Sequence, residues 1–194
     1  MVSSENNMGA TTVQPFFPPL PIFNLNFVTS FFFSFRPGGF MSERLACQVG
    51  GLRSIASVSG GTILYPGLDS GLKLCDESYA ALGPPSVSVL RVHGDADNVV
   101  LFQGDPNPPN SFPPVIEGVD AWRNRNGCGM NSHQTFTRGN FSNQIWDGCF
   151  GELQTVELVL NHGGGHIYPQ NPNRGFVTTN YILQFMDKST PGGL

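Results

Sequence analysis

Charge is scarce in this sequence. Only 12% of the 194 residues are Asp, Glu, Lys or Arg, and the 10 basic residues form no cluster against 14 acidic ones. A nucleic-acid or anionic-membrane surface needs a basic patch, so neither partner is expected. The four cysteines, Cys47, Cys75, Cys128 and Cys149, include no CxxC spacing and have no His at zinc-finger distance. No metal is therefore expected at them. The N-terminus lacks a basic leader region, so no signal peptide is recognisable. The apolar stretch at 22–35 is too short to span a bilayer.

What is present points to a loop-rich globular domain. The chain carries 24 Gly and 16 Pro, and its length favours one domain with a self-sufficient core. An even number of cysteines in a Lys-poor chain reads as two disulfides formed in an oxidising compartment. Of the three possible connectivities, neighbour pairing (Cys47–Cys75, Cys128–Cys149) is adopted, with four buried free thiols as the alternative. The sequon Asn140-Phe141-Ser142 agrees with a secreted protein.

Residues 1–37 differ from the remainder of the chain. They hold no Lys, one Arg, the run PFFPPLP and then a Phe-rich run. No periodicity survives the prolines, so no folded element is expected there. From Gly38 the pattern becomes regular. GGFMSERLACQVG reads as a helix with Phe40, Met41, Arg44, Leu45 and Cys47 available inward. Strands are expected at 52–61, 86–94 and 153–161, and further helices at 112–126 and 175–188. The expected class is α/β, with about three mostly parallel strands, flanking helices and the strands before Gly38 missing.

Open α/β sheets gather reactive groups in loops at the carboxyl ends of strands. Two such loops are chemically loaded: His93-Gly94-Asp95-Ala96-Asp97 and His162-Gly163-Gly164-Gly165-His166. An acid in one and a histidine in the next make two thirds of a Ser-His-Asp relay. The carboxylate orients the imidazole, and the imidazole takes the nucleophile's proton. The order acid, then His, is that of α/β-hydrolases. Asp95 competes with Asp97 as the acid, while His93 and His162 read as supporting residues.

These loops resemble a known family. HGDADNVVLFQG is similar to the acid-loop pattern HGxxDxxVxYxG of secreted polyhydroxybutyrate-depolymerase-like and feruloyl-esterase-like enzymes. GGGHIYP resembles their GGGHxWP, GGFMSERLAC their SNGGxMxxxLAC, and AWRNRNGC their W-x-x-x-N-G-C helix end. The likeness spans residues 38–188. It implies an α/β-hydrolase fold and ester hydrolysis through an acyl-enzyme, with no cofactor. It further implies Asp97 as acid, His166 as base, a Cys128–Cys149 bridge, an ester substrate and an extracellular location.

The turn before the helix departs from that pattern. Aligning the paired glycines with Gly38-Gly39 puts Arg36 in the nucleophile's place and Pro37 beside it. A guanidinium stays protonated and cannot accept an acyl group. Pro37 also restricts its predecessor, which conflicts with a strained turn. Ser34, two residues earlier, is a weak substitute, and Ser57-Val58-Ser59-Gly60-Gly61 reads as strand. No HGG or HGC oxyanion motif occurs in 1–37. The run FFFSFR is encodable by a pyrimidine tract ending in AG. Residues before about Gly38 thus read as translated intron or a misplaced start, with an apolar segment packed on the sheet as the alternative.

Three functions are consistent with these features. The first is a serine-esterase relative in its C-terminal part (38–190), inactive for want of a nucleophile. The second is a non-catalytic binding or scaffold protein derived from that fold. The third is metal hydrolysis through His93, Asp95, Asp97 and His166, which the triad order makes unnecessary.

Overall fold

The computed structural model describes residues 31–48, 51–61, 71–82, 87–107, 112–152 and 154–190. Its centre is a mixed six-stranded sheet flanked by helices. The elements in chain order are β1 (Phe31–Phe35), α1 (Pro37–Gln48), β2 (Ser54–Val58), α2 (Gly71–Leu82), β3 (Ser88–Gly94) and α3 (Val115–Arg125). Next come β4 (Thr137–Arg138), β5 (Phe141–Trp146), β6 (Val156–Asn161), β7 (Gln170–Asn171), β8 (Phe176–Val177) and α4 (Thr178–Lys188). The sheet order is β1-β2-β3-β6-β5-β4, while β7 and β8 form a separate pair. β1, β2, β3 and β6 pair in parallel, and β5 runs antiparallel to both β6 and β4.

Every residue of β2 and β3 is buried, because helices cover both faces. Alternation divides the strand residues between two cores. Ile55, Val89, Val156 and Leu158 pack with Ala46, Val115, Val119 and Trp122 on one face. Ala56, Val58, Leu90, Val92 and Val159 pack with Phe176, Ile182, Phe185 and Met186 on the other.

Two expectations need correction. The sheet has six strands, where about three were expected. β5 was missed because its buried face alternates through Asn143, whose amide is satisfied by Glu157 and Thr135. β1 lies inside the segment expected to hold no folded element. Its residues pair with β2 from Phe31↔Ser54 to Phe35↔Val58, so the strand extends an existing parallel edge with apolar side chains. The rest of that segment, 1–30, lies outside the described residues.

On α1 the inward face also differs. Met41 is 52% exposed and Arg44 exposed, whereas Ser42, Glu43, Ala46 and Cys47 are buried. The reason is a charge pair. Arg91, in the middle of β3, is bound by Glu43 through both nitrogen–oxygen contacts, Nε–Oε1 at 2.7 Å and Nη2–Oε2 at 2.5 Å. Trp122 Nε1 also donates to Glu43 Oε2 at 3.2 Å, joining α1, β3 and α3.

Two disulfides close the structure, Cys47–Cys75 between α1 and α2 and Cys128–Cys149 between the end of α3 and the end of β5. Closing loops of 28 and 21 residues removes chain entropy worth about 3–4 kcal/mol each. Disulfides fit an extracellular protein. No helix among the described residues is long and apolar enough to cross a membrane.

Candidate active site

β3 and β6 are neighbours in parallel, with Gly94 opposite Asn161. The acid loop and the histidine loop therefore leave the sheet side by side. The amide of Ala96 donates to Gly164 O at 3.0 Å, and that of Asp95 to Asn161 O at 3.3 Å. This contact explains a glycine in each loop. A Cβ on Gly94 would stand 2.1 Å from Gly164 O, and one on Gly164 would stand 2.0 Å from the Asn161 amide.

Within this junction Asp97 is 4% exposed. Its Oδ1 accepts the amides of Val99 and Val100 at 2.8 and 2.9 Å. Its Oδ2 accepts Nδ1–H of His166 at 2.9 Å. Three donors converge on this one buried carboxylate and fix the imidazole's tautomer, so a neutral His166 presents Nε2 as acceptor. His93 lies behind Asp97, with Nε2 donating to Val100 O at 2.8 Å and 3.5 Å from Asp97 Oδ2. Burial pushes the His93 pKa below its usual value, against the backbone bond to Val100 and the charge of Asp97. A neutral His93 leaves the Asp97 charge available to His166.

Arg36 sits between β1 and α1 with φ 59, one of two described non-glycine residues in the left-handed region. The sequence expectation that Pro37 would prevent such a turn is corrected. Pro37 opens α1, where its missing N–H is not needed. The turn is held by Arg36 N–H to Val58 O at 3.1 Å and Gly39 N–H to Arg36 O at 2.8 Å. The Arg36 guanidinium carbon lies 4.9 Å from the Phe35 ring centre. The same ring stacks on His166 at 5.9 Å and meets Tyr168 edge-on at 5.4 Å. The Arg36 turn and His166 are thus joined through Phe35.

Ser34 faces elsewhere. Strand alternation puts it on the side of β1 opposite Phe35. Its hydroxyl donates to Gly38 O and contacts Ser42 Oγ at 2.5 Å, under α1. Ser59, with φ 48 and 1% exposed, donates to Ile167 O at 3.1 Å and so tethers the histidine loop. Ser57 donates to Gly39 O at 3.1 Å, fastening α1 to β2.

The two aspartates of the acid loop take different partners. Asp97 holds His166, while Asp95 Oδ2 lies 3.1 Å from His162 Nδ1 and Asp95 Oδ1 accepts the Gly163 amide at 2.6 Å. Asp95 and His162 are exposed. Among the described residues no group of three or more His, Cys, Asp or Glu is placed to hold a metal ion. Sequence reasoning missed the Glu43–Arg91 pair altogether. Its signal was Arg91 at the centre of a fully buried strand, flanked by Leu90 and Val92.

No protein-family model matches the chain, and no curated protein matches it.

Proposed function

We propose that this chain is a serine-esterase-type α/β-hydrolase relative, of the polyhydroxybutyrate-depolymerase-like or feruloyl-esterase-like kind. In this reading it keeps the acid Asp97 and the base His166, and it holds Arg36 where the nucleophile belongs. The observation that carries the reading is the His166–Asp97 bond at 2.9 Å, made by a buried carboxylate whose second oxygen is tied to its own loop. The strand–turn–helix at Arg36, with a left-handed residue at the turn, supports it as a nucleophile elbow without a nucleophile. The parallel set β1-β2-β3-β6 agrees with a hydrolase-type sheet.

In such a site His166 Nε2 would remove a proton from a hydroxyl at the turn, and Asp97 would stabilise the imidazolium. Arg36 offers donors and no transferable electron pair at neutral pH, so the pair has nothing to activate. A carboxylic ester is the substrate class, and the chemistry calls for no cofactor. The protein turns over no ester through His166.

A second reading, a binding or scaffold protein derived from the fold, is favoured by β1. That strand lies in the segment preceding the helix and is built into the sheet edge by five registered pairs.

Assay of p-nitrophenyl acyl esters separates the outcomes. Wild type is expected to show no hydrolysis that depends on His166, and Arg36→Ser is expected to create it. Wild-type turnover lost in His166→Ala would overturn the inactive reading. Failure of a folded Arg36→Ser variant to gain turnover would favour the scaffold.

A further inference from the structure

A second series of hydrogen bonds lies at the same end of the sheet and involves none of Asp97, His166 and Arg36. β5 begins where β3 and β6 end, because Phe141 and Gly94 both stand opposite Asn161. Three side chains from three segments meet there. Ser142 Oγ is 2.8 Å from His162 Nε2, and His162 Nδ1 is 3.1 Å from Asp95 Oδ2.

The arrangement is anchored at each member. Asp95 Oδ1 accepts the Gly163 amide at 2.6 Å, and the His162 amide donates to Asn140 O at 2.7 Å. Ser142 is carried by a strand paired on both sides. With Asp95 accepting from Nδ1, neutral His162 has its lone pair on Nε2, aimed at the Ser142 hydroxyl. The side chains of His162 and Asp95 are 50% and 36% exposed, so the series opens to solvent. At that exposure an ion pair contributes little to stability.

We propose that Ser142, His162 and Asp95 form a surface nucleophilic relay, in which small activated acyl or phosphonyl compounds modify Ser142. Asp95 is a positioning residue acting through His162. The Ser142 O–H bond breaks as its proton passes to His162 Nε2, and Oγ bonds to the acyl carbon. The carbonyl pair displaced onto oxygen re-forms the double bond as the bond from that carbon to the leaving oxygen breaks, and the leaving group takes the proton from the imidazolium. With a fluorophosphonate, Oγ bonds to phosphorus, the P–F bond breaks, and fluoride leaves with that proton. Water hydrolyses the acyl-serine by the reverse proton path. A general base of this kind accelerates such a step by about 10²–10⁴-fold. Substrates with good leaving groups, such as aryl esters, fit an open site because they need least help at departure. The relay is independent of the proposed His166 chemistry.

The experiment uses the full chain from a bacterial host, so that Asn140 carries no glycan, and an alkyl fluorophosphonate probe with peptide mapping. An adduct on Ser142 is expected, formed about 100-fold more slowly in His162→Gln. Free imidazole should restore capture in His162→Gly, which a purely structural clip would not allow. Asp95→Asn, which can donate to Nδ1 and select the wrong tautomer, should slow capture more than Asp95→Ala. A structural clip would rank those two variants the other way. Absence of an adduct, an adduct on another serine, or a Ser142 rate unchanged in folded His162→Gln overturns the proposal.

Discussion

Asp97 accepts the Nδ1 proton of His166 across 2.9 Å while the amides of Val99 and Val100 hold its other oxygen. The imidazole is therefore oriented by a group that cannot easily move. Such an arrangement is costly to bury without purpose, because each buried charge loses solvation that only good donors restore. If Arg36→Ser creates esterase activity, adding Asp97→Asn should lower kcat by about 10⁴-fold through loss of the correct tautomer. Ester hydrolysis rates of the single and double variants provide the measurement.

Arg36 at φ 59 holds a conformation that costs an L-residue roughly 1–2 kcal/mol. Glycine relieves this strain, and a β-branched residue worsens it. The expected order of thermal stability is Arg36→Gly at or above wild type, and Arg36→Val below both. The spread between the two variants should be about 1–2 kcal/mol. Finding the valine variant as stable as the glycine variant would show that the turn is not left-handed.

Glu43 and Arg91 are each fully buried and share two contacts. Removing one partner strands the other charge in the core. Glu43→Gln should destabilise the protein by about 3–5 kcal/mol, read from urea midpoints. The apolar double variant Glu43→Met/Arg91→Met should recover much of that loss. A double variant that is worse than the single change would contradict this account.

Two buried groups give opposing pH dependences. Burial lowers the His93 pKa below 6.5, so the unfolded chain takes up a proton at a pH where the folded chain does not. That contribution to stability is present above 6.5 and is lost as pH falls through the lowered folded value. Burial raises the Glu157 pKa above 4.5, against hydrogen bonds from Asn143 and Tyr181 and the charges of Lys188 and His133. Its contribution is present below 4.5 and lost as pH rises through the raised value. His93→Gln should flatten the acid side of a melting-temperature profile. Glu157→Gln should gain on wild type as pH rises toward neutrality. Parallel profiles for wild type and both variants would refute both assignments.

The disulfide between Cys47 and Cys75 ties together two helices on one face of the sheet. Replacing both cysteines by Ala should cost about 3–4 kcal/mol through the chain entropy regained by the unfolded state. Unreduced intact mass should lie four hydrogens below that of the reduced chain, since both bridges are formed.

The sequence alone determined the strand-end positions of the two loops that carry Asp97 and His166. His93-Gly94-Asp95-Ala96-Asp97 and His162-Gly163-Gly164-Gly165-His166 each succeed a β-branched run and end in a turn, which is local information. It also determined the α/β class and, through the aligned glycines, the position of Arg36 at the turn before α1. β1 was hidden because the prolines upstream break any period; its phenylalanines favour a strand, but the pairing with β2 that places it is long-range. β5 was hidden by polar residues on its buried face.

Tertiary structure decided which acid goes with which histidine. Asp95 and Asp97 are two residues apart, and so nearly equivalent in sequence. The crossing of Gly94 and Gly164 turns one carboxylate inward to His166 and leaves the other outside with His162. The same packing committed the Ser34 hydroxyl to the α1 side, away from His166, and brought Ser142 to His162 from a strand that no motif announced. Local pattern specifies where a strand ends, but hydrogen-bond partners depend on strand order and register, which long-range packing sets.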